Sequence, residues 1–152
     1  MKLSIIWRLS DREEKNLITG NSLQKQLDDY TDDVQVLVYK GNGQTFEKTL
    51  TGKNLDISIY DINKIPENSN IFEDAKSHVT GDYVTFTDSG DRWSDGAFVR
   101  LAAELEMHNK STVIMLKKCG PDGSVDAFAG DTTGKKVIDQ VLRKKFHCHP
   151  FY

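Results

Sequence analysis

Four short runs, Leu3–Trp7, Val34–Tyr39, Leu55–Tyr60 and Tyr83–Thr87, are rich in β-branched, aromatic and leucine residues. Runs of this length, bounded by turn-forming residues, read as strands. Helix-like stretches alternate with them, and such strands need crossover connections. The order therefore predicts an α/β fold, a mostly parallel sheet flanked by helices. Crossovers of this kind are right-handed, and such sheets bind ligands at the carboxyl ends of their strands. Three polar stretches stand at those ends and are the candidate site loops: Arg8–Asp11, Lys40–Gly43 and Asp88–Asp91.

The segments between the strands carry helix signals. Asp11 and Glu14 have capping-box spacing and predict a helix start, with Leu17, Ile18, Leu23 and Leu27 as its apolar stripe and Gly20 as a weak middle. Gly41-Asn42-Gly43 ends the second strand, and Gln44–Leu50 is a weaker segment. Pro66 marks a loop, after which Asn68 or Ser69 is expected to cap a helix carrying Ile71, Phe72, Ala75 and Val79. Ser94 is expected to cap the helix in which Phe98, Leu101, Ala102 and Leu105 keep a 3.6-residue period. Thr112–Leu116 predicts a fifth strand. Pro121-Asp122-Gly123 predicts a hairpin turn returning through Val125–Phe128, and a last helix runs from about Gly134 to Lys145.

With 152 residues the chain has room for one compact domain. Its 20 basic and 23 acidic residues give a net charge of −3, which lacks the basic footprint of a nucleic-acid binder. No apolar run has the length of a bilayer span, and Met1–Arg8 lacks the features of a signal peptide. Two cysteines, Cys119 and Cys148, make no disulfide framework, which points to a reducing cytoplasm.

The sharpest motif is Gly81-Asp82-Tyr83-Val84-Thr85-Phe86-Thr87-Asp88-Ser89-Gly90-Asp91-Arg92-Trp93. A strand delivers two carboxylates into a turn at its carboxyl end. Closely spaced carboxylates there can hold a hard divalent cation, which in turn can hold a diphosphate and act as Lewis acid. The same spacing also serves an ordinary strand-to-helix turn, in which Asp and Ser satisfy backbone N–H groups, and that is the commoner use.

On these residues the chain resembles the family 2 glycosyltransferases, whose nucleotide-binding fold is called GT-A. The family's matching stretch reads G-x-Y-[VI]-x-F-L-D-S-D-D-x-W. Ser4-Ile5-Ile6 followed by Glu13-Glu14-Lys15-Asn16-Leu17 is similar to its opening, Ser22-Leu23-Gln24-Lys25-Gln26 to its S-[LV]-x-x-Q, and Val36-Leu37-Val38 to its second strand. Order and spacing agree from about residue 3 to residue 105. The resemblance implies a GT-A-like, Rossmann-like domain that transfers a sugar from a nucleotide-sugar donor, most simply a UDP-sugar, to a hydroxyl of a glycan, lipid-linked or protein acceptor. It implies Mg²⁺ or Mn²⁺ as cofactor, with Asp88 on the nucleotide side and Asp91 and Asp88 as metal ligands. It also puts Ser10 and Lys40 in the donor-binding loops. The process implied is surface polysaccharide or glycoprotein glycan assembly.

The ligand loops depart from the family pattern. Gly90 stands where the usual metal ligand stands, Arg8-Leu9-Ser10-Asp11 replaces P-x-Y-N, and Lys40-Gly41-Asn42-Gly43 replaces D-D-G-S. A catalytically silent domain that binds a sugar nucleotide, a glycan or a partner glycosyltransferase is therefore the alternative expectation. The family's catalytic base lies beyond the last residue of this chain, so none is assigned. The ending Phe146–Tyr152 has no tail-like character and predicts a longer native protein, truncated here on the acceptor side.

Other constellations carry less. Gly130–Lys136 resembles a P-loop, but its glycine spacing is one short and no Ser or Thr follows the lysine. In His147-Cys148-His149 only the two histidines could share a face, and Cys119 has no obvious His or acid partner in sequence for a nucleophilic role. The basic tail, with Lys135, Lys136, Arg143, Lys144 and Lys145, reads as a solvated helix face, or as a contact with a donor phosphate or with the inner face of an anionic membrane.

Overall fold

The computed structural model describes residues 1–47, 50–107, 118–119 and 125–126. In chain order the elements are β1 (Leu3–Arg8), α1 (Glu13–Asp29), β2 (Val34–Lys40), β3 (Leu55–Asp61), α2 (Ile71–Lys76), β4 (Tyr83–Asp88) and α3 (Ala97–Glu106). All four strands are parallel, in the order β3-β2-β1-β4, and helices flank them in a Rossmann-like α/β arrangement. The chain divides after Ala103 into two compact units, and the sheet belongs to the first. In the second, β5 (Lys118–Cys119) pairs antiparallel with β6 (Val125–Asp126), the expected hairpin in outline. The expected strand Thr112–Leu116, the turn at Pro121–Gly123, the helix at 134–145 and the motifs at 130–136 and 147–149 lie outside the described residues. Among the described residues no helix is long and apolar enough to cross a membrane.

The interior strands explain their own sequences. β1 and β2 are covered on both faces, as parallel strands must be when crossover helices lie over them, so they are apolar almost throughout. Ile6, Leu37 and Tyr39 share one face and pack with Ala75 of α2, and Tyr60, Ile62, Ile65, Ile71 and Val79 complete that cluster. The alternate residues Leu3, Ile5, Trp7, Val34, Val36 and Val38 are buried on the opposite face. β3 and β4 flank this pair and keep Ile59 and Val84 exposed.

Two buried polar residues pin the chain where it enters β4. Ser4 Oγ–H donates to Gln35 Oε1 at 2.7 Å and accepts the Gly81 N–H at 2.9 Å. Gln35 also accepts the Thr80 N–H at 3.0 Å and donates to the His78 carbonyl at 3.0 Å. The backbone comes in so close that a Cβ on Gly81 would lie 2.6 Å from Ser4 Oγ and 2.7 Å from Ser4 N. Glycine at position 81 is thus dictated by the approach of two backbones. Gly81→Ala is expected to destabilise the domain by about 2 kcal/mol, as overpacking at a rigid contact does, read from urea midpoints of the two proteins.

The same face carries a second polar link. Tyr39 is fully buried, and its phenol donates to Asp74 Oδ2 at 2.6 Å while its ring stacks on Tyr60, which stacks on His78. Burial, then the hydrogen bond to Asp74 and that carboxylate's charge, push the phenol above its ordinary value of 10.0. The folded protein therefore holds this proton more tightly than the unfolded chain. Its contribution is complete below about pH 10 and is lost as the pH rises further. The fall in stability between pH 8 and 10.5, measured by urea unfolding, is expected to be smaller in Tyr39→Phe than in the parent.

Helix ends differ from the sequence expectation for local reasons. Asp11 does not cap α1; the helix starts at Glu13 behind Arg12, and Asp11 instead accepts the Ser10 hydroxyl at 3.3 Å. Asn70, rather than Asn68 or Ser69, caps α2 by accepting the N–H groups of Phe72 and Glu73, and the helix ends at Lys76, short of Val79. α3 begins at Ala97, three residues beyond Ser94, whose hydroxyl accepts from Arg100 instead. Gly96, at φ +68°, supplies the left-handed turn between them.

Candidate functional site

The three strand-end loops meet at the carboxyl edge of the sheet. The Leu9 N–H donates to the Tyr39 carbonyl at 2.9 Å and the Ser89 N–H to the Arg8 carbonyl at 3.1 Å. Gln44 Nε2–H donates to the Ser10 carbonyl at 2.8 Å, and its Oε1 accepts the Gly41 N–H. Strand order runs β1, β2, β3 in one direction and then reverses to place β4 on the other side of β1. That reversal is the crevice where open α/β sheets bind ligands.

At the crevice stands an ion pair. Pairing of β1 with β4 sets Arg8 opposite Asp88, and the guanidinium forks the carboxylate, Nε–H to Oδ1 at 2.8 Å and Nη2–H to Oδ2 at 3.1 Å. Arg8 is 41% exposed and Asp88 32%, so screening and side-chain entropy hold the pair's net contribution below about 1 kcal/mol. It shapes the site far more than it stabilises the fold.

Side chains of α1 and β1 hold the turn after Asp88. The buried stripe of α1 is Thr19, Ser22, Leu23, Gln26 and Leu27, an i, i+3, i+4, i+7, i+8 pattern in which three residues are polar. Thr19 Oγ1 accepts the Gly90 N–H at 2.9 Å and donates to the Asp91 carbonyl at 2.8 Å. Ser22 accepts the Trp93 N–H at 3.2 Å, and Gln26 accepts the Phe98 N–H at 3.2 Å. Trp7 Nε1–H donates to Ser89 Oγ at 3.0 Å. The expected apolar stripe is correspondingly corrected: Leu23 and Leu27 face inward, but Leu17 and Ile18 are 47% and 41% exposed. Hydroxyl and amide groups take the inward places because the turn beneath them presents backbone N–H and C=O groups that need partners.

The candidate residues fall as follows. Asp91 Oδ2 accepts the Asp88 N–H at 3.0 Å and so closes the turn. Gly90 has φ +102°, a conformation that side chains other than glycine's rarely adopt, which is the backbone reason for glycine at this position. Ser10 Oγ accepts the Arg12 N–H at 3.1 Å at the foot of α1, and Lys40 Nζ–H donates to the Gln44 carbonyl at 3.0 Å. A cavity of about 260 Å³ opens beside Lys40 at the ends of β2 and β3, lined also by Tyr60, Asp61, Lys64 and Asp74.

As a cation site the donor set does not fit in this arrangement. Both oxygens of Asp88 take N–H groups of Arg8, Asp91 is turned onto the backbone, and residue 90 has no side chain. Among the described residues no three His, Cys, Asp or Glu side chains converge on one point. Thr19, Ser22, Gln26 and Gln44 build the site's frame; the sequence offered Ser22 and Gln26 only through their likeness to S-[LV]-x-x-Q, and Thr19 and Gln44 not as site residues. The signal for the first three was a polar stripe at helical spacing.

Comparison with known proteins finds no matching family model, curated protein or solved structure.

Thr19 is fully buried and serves both strands of the turn. Thr19→Val keeps the shape but removes the hydroxyl's bonds to the Gly90 N–H and the Asp91 carbonyl, leaving the Gly90 N–H on the Lys15 carbonyl at 3.1 Å. A loss of about 1–2 kcal/mol is expected from chemical denaturation, with hydrogen exchange accelerating first at Gly90 and its neighbours.

Proposed function

We propose that this chain is the donor-binding portion of a GT-A-like glycosyltransferase of the family 2 kind, which transfers a sugar from a nucleotide-sugar donor to an acceptor hydroxyl. The observation that carries this reading is the convergence of the three predicted loops at the strand-order reversal, with Arg8 and Asp88 facing each other there. The ordered motif set from the first strand through Asp91 supports it, as does the parallel β3-β2-β1-β4 order. The proposal gives the diphosphate the space over the Asp88–Asp91 turn and the nucleoside the cavity beside Lys40. A preorganised, rigid turn suits that role, because charge developing on a departing diphosphate is best met by groups that need not reorganise. Ser10 and Lys40 border the donor in this reading. The Mg²⁺ or Mn²⁺ implied by the resemblance requires Asp88 to leave Arg8.

One observation favours a second reading, binding of a sugar nucleotide without transfer: the carboxylate best placed for chemistry, Asp88, is already neutralised by Arg8.

Thermal unfolding followed with UDP-glucose, UDP-galactose and UDP-N-acetylglucosamine, each with and without Mn²⁺, tests the proposal. At a hundredfold excess over Kd, a donor that binds the native state adds about 2.7 kcal/mol. A donor-specific rise in Tm is expected, and release of UDP on adding acceptor glycans separates transfer from binding alone. The donor-binding proposal fails if none of these nucleotides moves the transition.

A further inference from the structure

The Arg8–Asp88 pair supports a more specific assignment, which rests on the donor-binding reading above. We propose that Arg8 is the diphosphate-binding group of this site and that Asp88 is its resident counter-ion, exchanged for the ligand's phosphate oxygens on binding. Charge on the diphosphate is then met by a guanidinium, with Lys15 beside it, and a divalent cation is not required.

Four features of the site converge on this assignment. Arg8 ends β1 at the strand-order reversal, and its planar fork of donors already grips a two-oxygen anion at 2.8 and 3.1 Å, the geometry that also suits a phosphate. The pair is partly exposed on both sides, so solvent and ligand reach it and exchange is easy. Everything else in the turn is already committed. Ser89 N–H is on Arg8, Gly90 N–H on Thr19 and Asp91 on Asp88 N–H, so the turn is fastened in a shape that offers no cage for a cation. A second cation adjoins it. The Lys15 stem lies along Gly90, where a Cβ would be 3.6 Å from Lys15 Cδ, and Lys15 forms no ion pair among the described residues.

This predicts opposite signs for two neighbouring substitutions. Asp88→Asn frees the guanidinium and is expected to tighten UDP severalfold, whereas Arg8→Gln is expected to weaken it at least tenfold. Arg8→Lys, which keeps the charge but loses the fork, should fall between. If Asp88 instead served as a metal ligand, Asp88→Asn would weaken binding.

The experiment is calorimetric titration of UDP and of inorganic pyrophosphate, in EDTA and again in Mn²⁺, into the parent chain and the three variants, with circular dichroism to check folding. Binding in EDTA with the order Asp88→Asn, parent, Arg8→Lys, Arg8→Gln supports the proposal. Binding that needs Mn²⁺, or weaker binding by Asp88→Asn, overturns it while leaving the donor-binding reading intact. Pyrophosphate binding in the predicted order, with UDP no tighter than pyrophosphate, keeps the Arg8 site and overturns the nucleotide reading. Absence of pyrophosphate and UDP binding by both the parent and Asp88→Asn overturns the Arg8 site. The gain in Asp88→Asn keeps the test decisive even if Arg8→Gln fails to fold.

Discussion

Because β1 pairs in parallel with a strand on either side, each of its residues is fixed opposite one residue of β2 and one of β4. Leu3 opposite Val34 and Tyr83 at one end requires Arg8 opposite Tyr39 and Asp88 at the other. A one-residue slip would turn every side chain to the wrong face. Both faces of β1 are apolar, so polarity alone does not exclude that slip; the specific fit of the interior residues does, and it sets the geometry of the crevice. The Ser4–Gln35–Gly81 contact locks the same register at the amino end, where no room remains for even a methyl group on Gly81.

A second layer of constraint holds the loop after β4. Its backbone turns sharply at Gly90 and then runs toward α3, so several of its N–H and C=O groups lie outside the sheet ladder. The inward stripe of α1 supplies partners for them through Thr19, Ser22 and Gln26, while Leu23 and Leu27 provide apolar burial on the same face. The helix thus trades part of its hydrophobic contact for a polar frame. That exchange gives a rigid turn, and a rigid turn leaves the Arg8–Asp88 pair as the exchangeable part of the site.

Much of this was legible residue by residue. The four strands follow from runs of valine, isoleucine, leucine and aromatics, which differ from their expected limits by at most one residue at the carboxyl end. The loops at their ends followed from the rule that parallel strands present their carboxyl ends to ligands. Helix starts were less legible. Asp11, Asn68, Ser69 and Ser94 all have capping chemistry, and the residue that caps is decided by where the preceding turn delivers the chain. The inward face of α1 was misread in part because Leu17 and Ile18 are the more hydrophobic residues, whereas the neighbouring loop calls for hydrogen-bonding partners. Gln44 carried no signal at all, since its role depends on two loops that adjoin only in space.

By itself, the sequence determined the alternation of strands and helices, the parallel sheet that alternation requires, and the three polar loops at its carboxyl edge. These are local matters of periodicity, β-branching and turn chemistry. Only the tertiary structure decided that Arg8 neutralises Asp88, that Asp91 closes its own turn and that Gly90 must be glycine. Arg8 and Asp88 are 80 residues apart in the chain. No local spacing encodes their meeting, which follows from the register of two parallel strands and the burial that fixes it.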